Sequence, residues 1–255
     1  MKRTILAGVL ILTAGLSGLC AQQPAAPAAA KPPSVKSKAE GEAVNAVIKA
    51  GDPDATIKAA EDLMTKFADT EFKEFALTME ARAYQQKGDA VQAQVFGERV
   101  LQMNPKSYTM ELLVGEVIAP GIKDHDLDRD DKIAKATKLF NDAIENIKVA
   151  TKPNPQLPDA QWADAQKFTI AQCHNGLGIL AQVQKKWDDA IKEYQLALDG
   201  DPEQDAYATR LANAYLAAGK NAEAIAICDK LLAKPDLHPT IKQVVTSIKT
   251  NATKK

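Results

Sequence analysis

The 255-residue sequence predicts an all-α fold in which antiparallel helix pairs stack into a solenoid. Three observations carry that prediction. First, 45% of the chain is hydrophobic but only 5% is aromatic, and no alternating β-branched run stands out. Apolarity carried by small residues, chiefly alanine, suits helices that approach closely rather than strands. Second, a small-residue anchor recurs at Thr56, Ala93, Ala136, Ala190 and Ala224, at intervals of 37, 43, 54 and 34 residues. Leu63-Met64, Val100-Leu101, Ala143-Ile144, Ala197-Leu198 and Leu231-Leu232 follow these anchors at constant offset. Third, the turn ahead of three anchors holds Gly51, Gly88 and Gly219, and glycine closes a helix in the left-handed region without a Cβ clash. Asp131 and Lys185 occupy the other two turn positions, while Pro105, Pro202 and Pro235 end three units. Self-similarity at such a period is the mark of stacked supersecondary units.

The unit from Ala171 to Pro202 shows the pattern most fully: His174, Leu177-Gly178, Ala181, Trp187, Ala190-Ile191, Tyr194, Ala197-Leu198 and Pro202. It resembles the tetratricopeptide repeat, which places Trp-x-x-Leu-Gly-x-x-Tyr before Ala-x-x-x-Phe and a final Pro over about 34 residues. Here His174 stands for the tryptophan, Ala181 for the tyrosine and Tyr194 for the phenylalanine. The resemblance implies a right-handed superhelical solenoid of about five repeats, whose first helices line a concave groove that takes peptides or partner helices. The second unit keeps Ala81, Tyr84, Gly88 and Ala93, but Glu80 replaces the expected leucine, so packing must differ there. After Pro239, Ile241, Val244, Val245 and Ile248 follow the spacing of one helix face. That predicts a terminal helix capping the last repeat.

At the other end, Lys2-Arg3 precede an apolar run from Ile5 to Leu19, and Leu19-Cys20-Ala21 resembles a cleavage site. Residues 1–21 therefore read as a secretory signal. The run is broken by Gly8, Gly15 and Gly18 and falls short of the roughly 20 residues of a membrane span. The expectation is an exported protein, periplasmic or extracellular, with no transmembrane segment in the mature chain. A membrane-anchored lipoprotein acylated at Cys20 is the second reading, disfavoured by the bulk of Leu19 before it. Residues 22–38, with Pro24, Pro27, Pro32 and Pro33, read as a disordered spacer. The repeat domain is expected over 39–250 and a polar tail over 251–255. Inside the domain, Ala119-Pro120-Gly121 interrupts the third unit, and Pro153, Pro155 and Pro158 mark a break before a long helix running to Val183. Cys173 and Cys228 fall on helices that are not immediate neighbours in the repeat frame and read as separate thiols.

The net charge of −1 gives no electrostatic reason to expect nucleic acid. Asp124, Asp126 and Asp128 alternate like the start of a calcium loop, but Arg129 and Lys135 stand where that loop needs glycine and a bidentate glutamate. The stretch reads as an acid-rich helix start instead. Gly176-Leu-Gly178-Ile-Leu-Ala181 mimics a dinucleotide fingerprint but lies inside a helical run rather than after a strand. His125, His174 and His238 show no metal-ligand spacing. The sequence therefore nominates no cofactor, metal ligand or catalytic residue.

Carried over from the resemblance, the groove-facing positions are Thr78, Arg82 and Gln85 in the second unit. Gln172, Asn175, Ile179 and Gln182 face it from the fourth, and Ala206, Thr209 and Asn213 from the fifth. Side-chain amides can bond both N–H and C=O of an extended peptide. The basic set that clamps a terminal carboxylate in some relatives is not reproduced. Two functions follow as expectations: a non-catalytic extracytoplasmic scaffold that binds a protein or peptide in this groove, or an enzyme or accessory subunit with its site in the 119–131 loop.

Overall fold

The computed structural model describes residues 33–254. The expected signal, the Cys20 anchor and the spacer up to residue 32 lie outside the described residues. Within them, five helix pairs follow one another: α1 (Lys38–Lys49) with α2 (Pro53–Lys66), α3 (Lys73–Gln86) with α4 (Ala90–Met103), and α5 (Tyr108–Ile118) with α6 (Arg129–Val149). The last two pairs are α7 (Asp159–Val183) with α8 (Trp187–Gly200) and α9 (Asp205–Ala217) with α10 (Asn221–Leu232), and α11 (Pro239–Thr253) closes the array. No strand occurs among the described residues. Each helix packs on its neighbours in the chain, and α3 also touches α5, α5 touches α7, and α9 touches α11. The first helices α3, α5 and α7 thus lie side by side, and the stacked pairs form the all-α helical solenoid that the sequence predicts.

Several helix starts carry a side-chain cap. Asp52, ahead of Pro53 in the first turn of α2, accepts a hydrogen bond from the Ala55 N–H at 2.8 Å, and Asp89 accepts one from Gln92 at 3.0 Å. At α1, Ser37 Oγ accepts the Glu40 N–H at 3.1 Å, while the Glu40 carboxylate reaches back to the Lys36 N–H in the manner of a capping box. Glu40 is buried yet satisfied, since Thr70 also donates its hydroxyl to it at 2.6 Å. This corrects the expected extent of the spacer. The Ser34 N–H donates to Glu71 at 2.9 Å and the Lys36 ammonium pairs with Asp69 at 2.8 Å, so residues 34–37 are tied to the turn between α2 and α3.

Gly88 and Gly219 hold the left-handed conformation at φ of 74° and 75°, and Lys185 holds it at 59°. All three occupy the same turn position of the repeat. Two of the proposed equivalents differ: Gly51 does not adopt positive φ, and Asp131 lies within α6 because that helix begins two residues earlier.

Small residues admit large ones between helices. A Cβ on Gly115 or Gly176 would come within 2.7 Å or 2.2 Å of the Phe140 ring, so α5 and α7 close onto that fully buried phenylalanine from α6. A Cβ on Gly178 would meet the buried Tyr194 ring at 2.5 Å, which explains the glycine as a close-packing residue. One core runs from α3 to α7 through Leu77, Val100, Val114, Phe140 and Leu180. The terminal core joins Cys228 and Leu231 to Val245 and Ile248 of α11.

The predicted capping helix is present with two corrections. Val244, expected on its buried face, is 45% exposed, and the helix continues to Thr253 with Ala252 buried, so the polar tail is shorter than expected. Ala252 stands four residues beyond Ile248 and shares its face. Both Cys173 and Cys228 are buried and free, and burial pushes the Cys173 thiol up to about 12. Glu80 is fully buried with neither carboxylate oxygen hydrogen-bonded. Burial, aided by the Glu61 charge and opposed by Arg99, raises it to about 7. Among the described residues no helix is long and apolar enough to cross a membrane.

Candidate functional site

Where α3, α5 and α7 share a face they enclose a cavity of about 320 Å³. Its walls carry Arg82 and Gln85 from α3 and Thr169 and Gln172 from α7. Its floor carries Tyr108, Leu112 and Glu116, spaced four residues apart so that they form one stripe along α5. The two ends of that stripe differ electrically. Burial raises the Tyr108 phenol, and the Arg82 charge opposes this. Burial also raises the Glu116 carboxyl, opposed by a hydrogen bond from Gln85 Nε2 at 3.3 Å. A small apolar strip thus lies between a cationic end and an acidic end, with amides on both walls.

A family model described as a tetratricopeptide repeat matches residues 184–248, which take in α8, α9, α10 and much of α11. The stacked helix pairs have the tetratricopeptide-repeat fold. Its fold is similar to that of TTC0263, a thermophilic tetratricopeptide protein of Thermus thermophilus, at 18% identity and a TM-score of 0.55 over 82% of this chain and 98% of that one. It is also similar to MamA from Desulfovibrio magneticus, at 14% identity and a TM-score of 0.53 over 87% of this chain and 99% of that one. A comparison with curated proteins found no match.

The helical solenoid brings Arg82, Gln85 and Gln172 together at the cavity. Thr78 lies one turn before Arg82 on α3, half-buried. The other positions drawn from the repeat pattern are distributed differently. Asn175 accepts a hydrogen bond from Arg210 at 2.8 Å, which ties α7 to α9. Gln182 accepts the Tyr194 hydroxyl at 3.1 Å, which ties α7 to α8. Ile179 packs against both adjoining cores. Thr209 donates to the Asp205 carbonyl at 2.7 Å within its own helix, and Ala206 and Asn213 are half-buried on α9. The α5 contribution of Tyr108, Leu112 and Glu116 is absent from the sequence-derived set. The insertion after Ile118 displaces the third repeat from the common register, although the spacing of four along this stripe was readable.

The 119–131 loop is largely exposed but held by a few contacts and charge pairs. Ile122 is buried, Lys132 bridges Asp126 at 3.0 Å and Asp128 at 2.9 Å, and Arg129 donates to the Val183 carbonyl at 2.8 Å. The Lys123 N–H and then the Lys132 ammonium hold Asp126 below the usual carboxylate range. Among the described residues no group of three or more His, Cys, Asp or Glu is placed to hold a metal ion. His174 Nδ1 lies 2.7 Å from a Glu193 carboxylate oxygen, joining α7 to α8.

Proposed function

We propose that the protein is an exported, non-catalytic scaffold that holds an extended segment of another protein in the groove between α3, α5 and α7. The tetratricopeptide fold supports a protein–protein interaction role. The observation that carries the finer reading is the cavity itself: an apolar strip at Leu112 flanked by the Gln85 and Gln172 side chains. An extended backbone offers alternating donors and acceptors, which amides can meet in either sense. Export rests on the Lys2-Arg3 head and the apolar run from Ile5 to Leu19. Asp124, Asp126 and Asp128 of the 119–131 loop, by contrast, are engaged with Arg129 and Lys132. That pairing favours a structural part for the loop over a catalytic one.

Site-specific photocrosslinking in the producing cells tests this. A benzophenone side chain replacing the exposed Gln172 should form adducts with a discrete partner, whereas one replacing Lys58 on α2 should not. Adducts from His125 in the loop, with none from Gln172, would overturn the groove reading and favour the loop as the functional surface.

A further inference from the structure

Among the acidic side chains of the cavity region, Glu116 is in an unusual position. Glu111, on the same helix, accepts two hydrogen bonds from Asn146 Nδ2 at 2.8 and 2.9 Å. Several surface acids elsewhere meet cations, as Asp188 meets Lys220 at 2.7 Å and Asp205 meets Lys234 at 2.8 Å. Glu116 has the neutral Gln85 amide as its hydrogen-bond donor and no ion-pair partner among the described residues. Arg82 lines the same cavity at its Tyr108 end, where its charge opposes the rise of the phenol. A carboxylate is therefore kept in a partly dehydrated cleft with its counter-charge missing.

We propose that Glu116 is the anchor of the groove and takes one lysine or arginine side chain of the partner segment. This rests on the groove reading above and names the partner's chemistry. Leu112 and the Tyr108 ring offer an apolar bed for the side chain's stem, while its charged head meets Glu116. A cavity of about 320 Å³ is at the small end of ligand clefts, which span about 300–1,000 Å³, so it suits one long side chain with a little backbone. Arg82 at the Tyr108 end repels a second cation placed there. The site therefore selects an isolated basic residue and not a polybasic run. A cation at Glu116 also favours its ionised form, reversing the effect of burial. Binding then tightens as pH rises through the titration of the free Glu116 carboxyl.

The probe is a randomised library of end-blocked ten-residue peptides, selected on the full chain and on a Gln172→Trp variant that fills the groove. The expected result is that peptides specific to the wild type share one Lys or Arg. Their affinity should fall about tenfold or more on Glu116→Gln, as expected when one partner of a partly buried charge pair is removed. The pH dependence should vanish in the same variant, and Glu116→Lys should select an acidic residue at that place. Far-UV circular dichroism checks that each variant stays folded, and only folded variants count. Groove-dependent peptides that lack a basic residue, or that bind Glu116→Gln unchanged, overturn the anchor and leave the groove reading standing. A library that yields nothing above the Gln172→Trp background overturns both.

Discussion

Glu80 makes the folding of the second repeat sensitive to pH. Its carboxylate, on α3, feels the Glu61 charge of α2 and the Arg99 charge of α4, with both oxygens buried and unpartnered. Holding the carboxyl at about 7 instead of 4.5 makes its ionisation in the folded chain cost roughly 3 kcal/mol, at about 1.4 kcal/mol for each pH interval of one. Between pH 4.5 and 7 the folded chain keeps a proton that the unfolded chain has released. Stability from this group is therefore full below 4.5, falls as pH rises through 7, and is flat above. The isosteric Glu80→Gln removes the charge and leaves the volume. Measured by urea unfolding with far-UV circular dichroism, it should exceed the wild type by about 2–3 kcal/mol at pH 7.5 and match it closely at pH 4.5. Glu80→Leu, which restores the residue expected of the repeat, should be more stable still, because it also removes a buried polar group. Comparing variant with wild type at each pH cancels the other titrating groups. A difference that does not change with pH, or a Gln variant less stable at pH 7.5, would refute the reasoning.

Two further outcomes follow from backbone and packing. Lys185 pays for a left-handed conformation at φ 59° that Gly88 and Gly219 adopt freely at the same turn; Lys185→Gly should stabilise the chain by about 1 kcal/mol, read as a raised melting temperature, and an unchanged or lower one would show that the turn is unstrained. Gly176→Ala would press a Cβ to within 2.2 Å of the Phe140 ring and should cost about 1–3 kcal/mol as overpacking. Combined with Phe140→Leu, the loss should be well below the sum of the two single losses, since the substitutions share one contact; strict additivity would show that the two residues do not meet.

The sequence by itself determined the architecture. Small residues at helical spacing, the anchor series ending in Ala190 and Ala224, and the proline and glycine stops are local properties, and they dictate paired helices whatever lies opposite. The long α7 was legible from Pro158 to Val183, and glycines 88 and 219 marked their turns because few other residues take that conformation cheaply. Tertiary structure decided which polar side chains remain for a partner. Asn175 and Gln182 lie on the expected stripe of α7, yet Arg210 and Tyr194, from two different helices, engage their oxygens. Val244 fits the apolar spacing of α11 but falls outside the contact, while Ala252 falls within it. Periodicity assigns a residue to a face; the rotation of that face against its neighbours is set by how their ridges and grooves mesh, and no single helix encodes it. The same cause hid the α5 stripe. Glu116 becomes a site only when Gln85 and Gln172 arrive from α3 and α7, and that meeting depends on the stacking of three repeats.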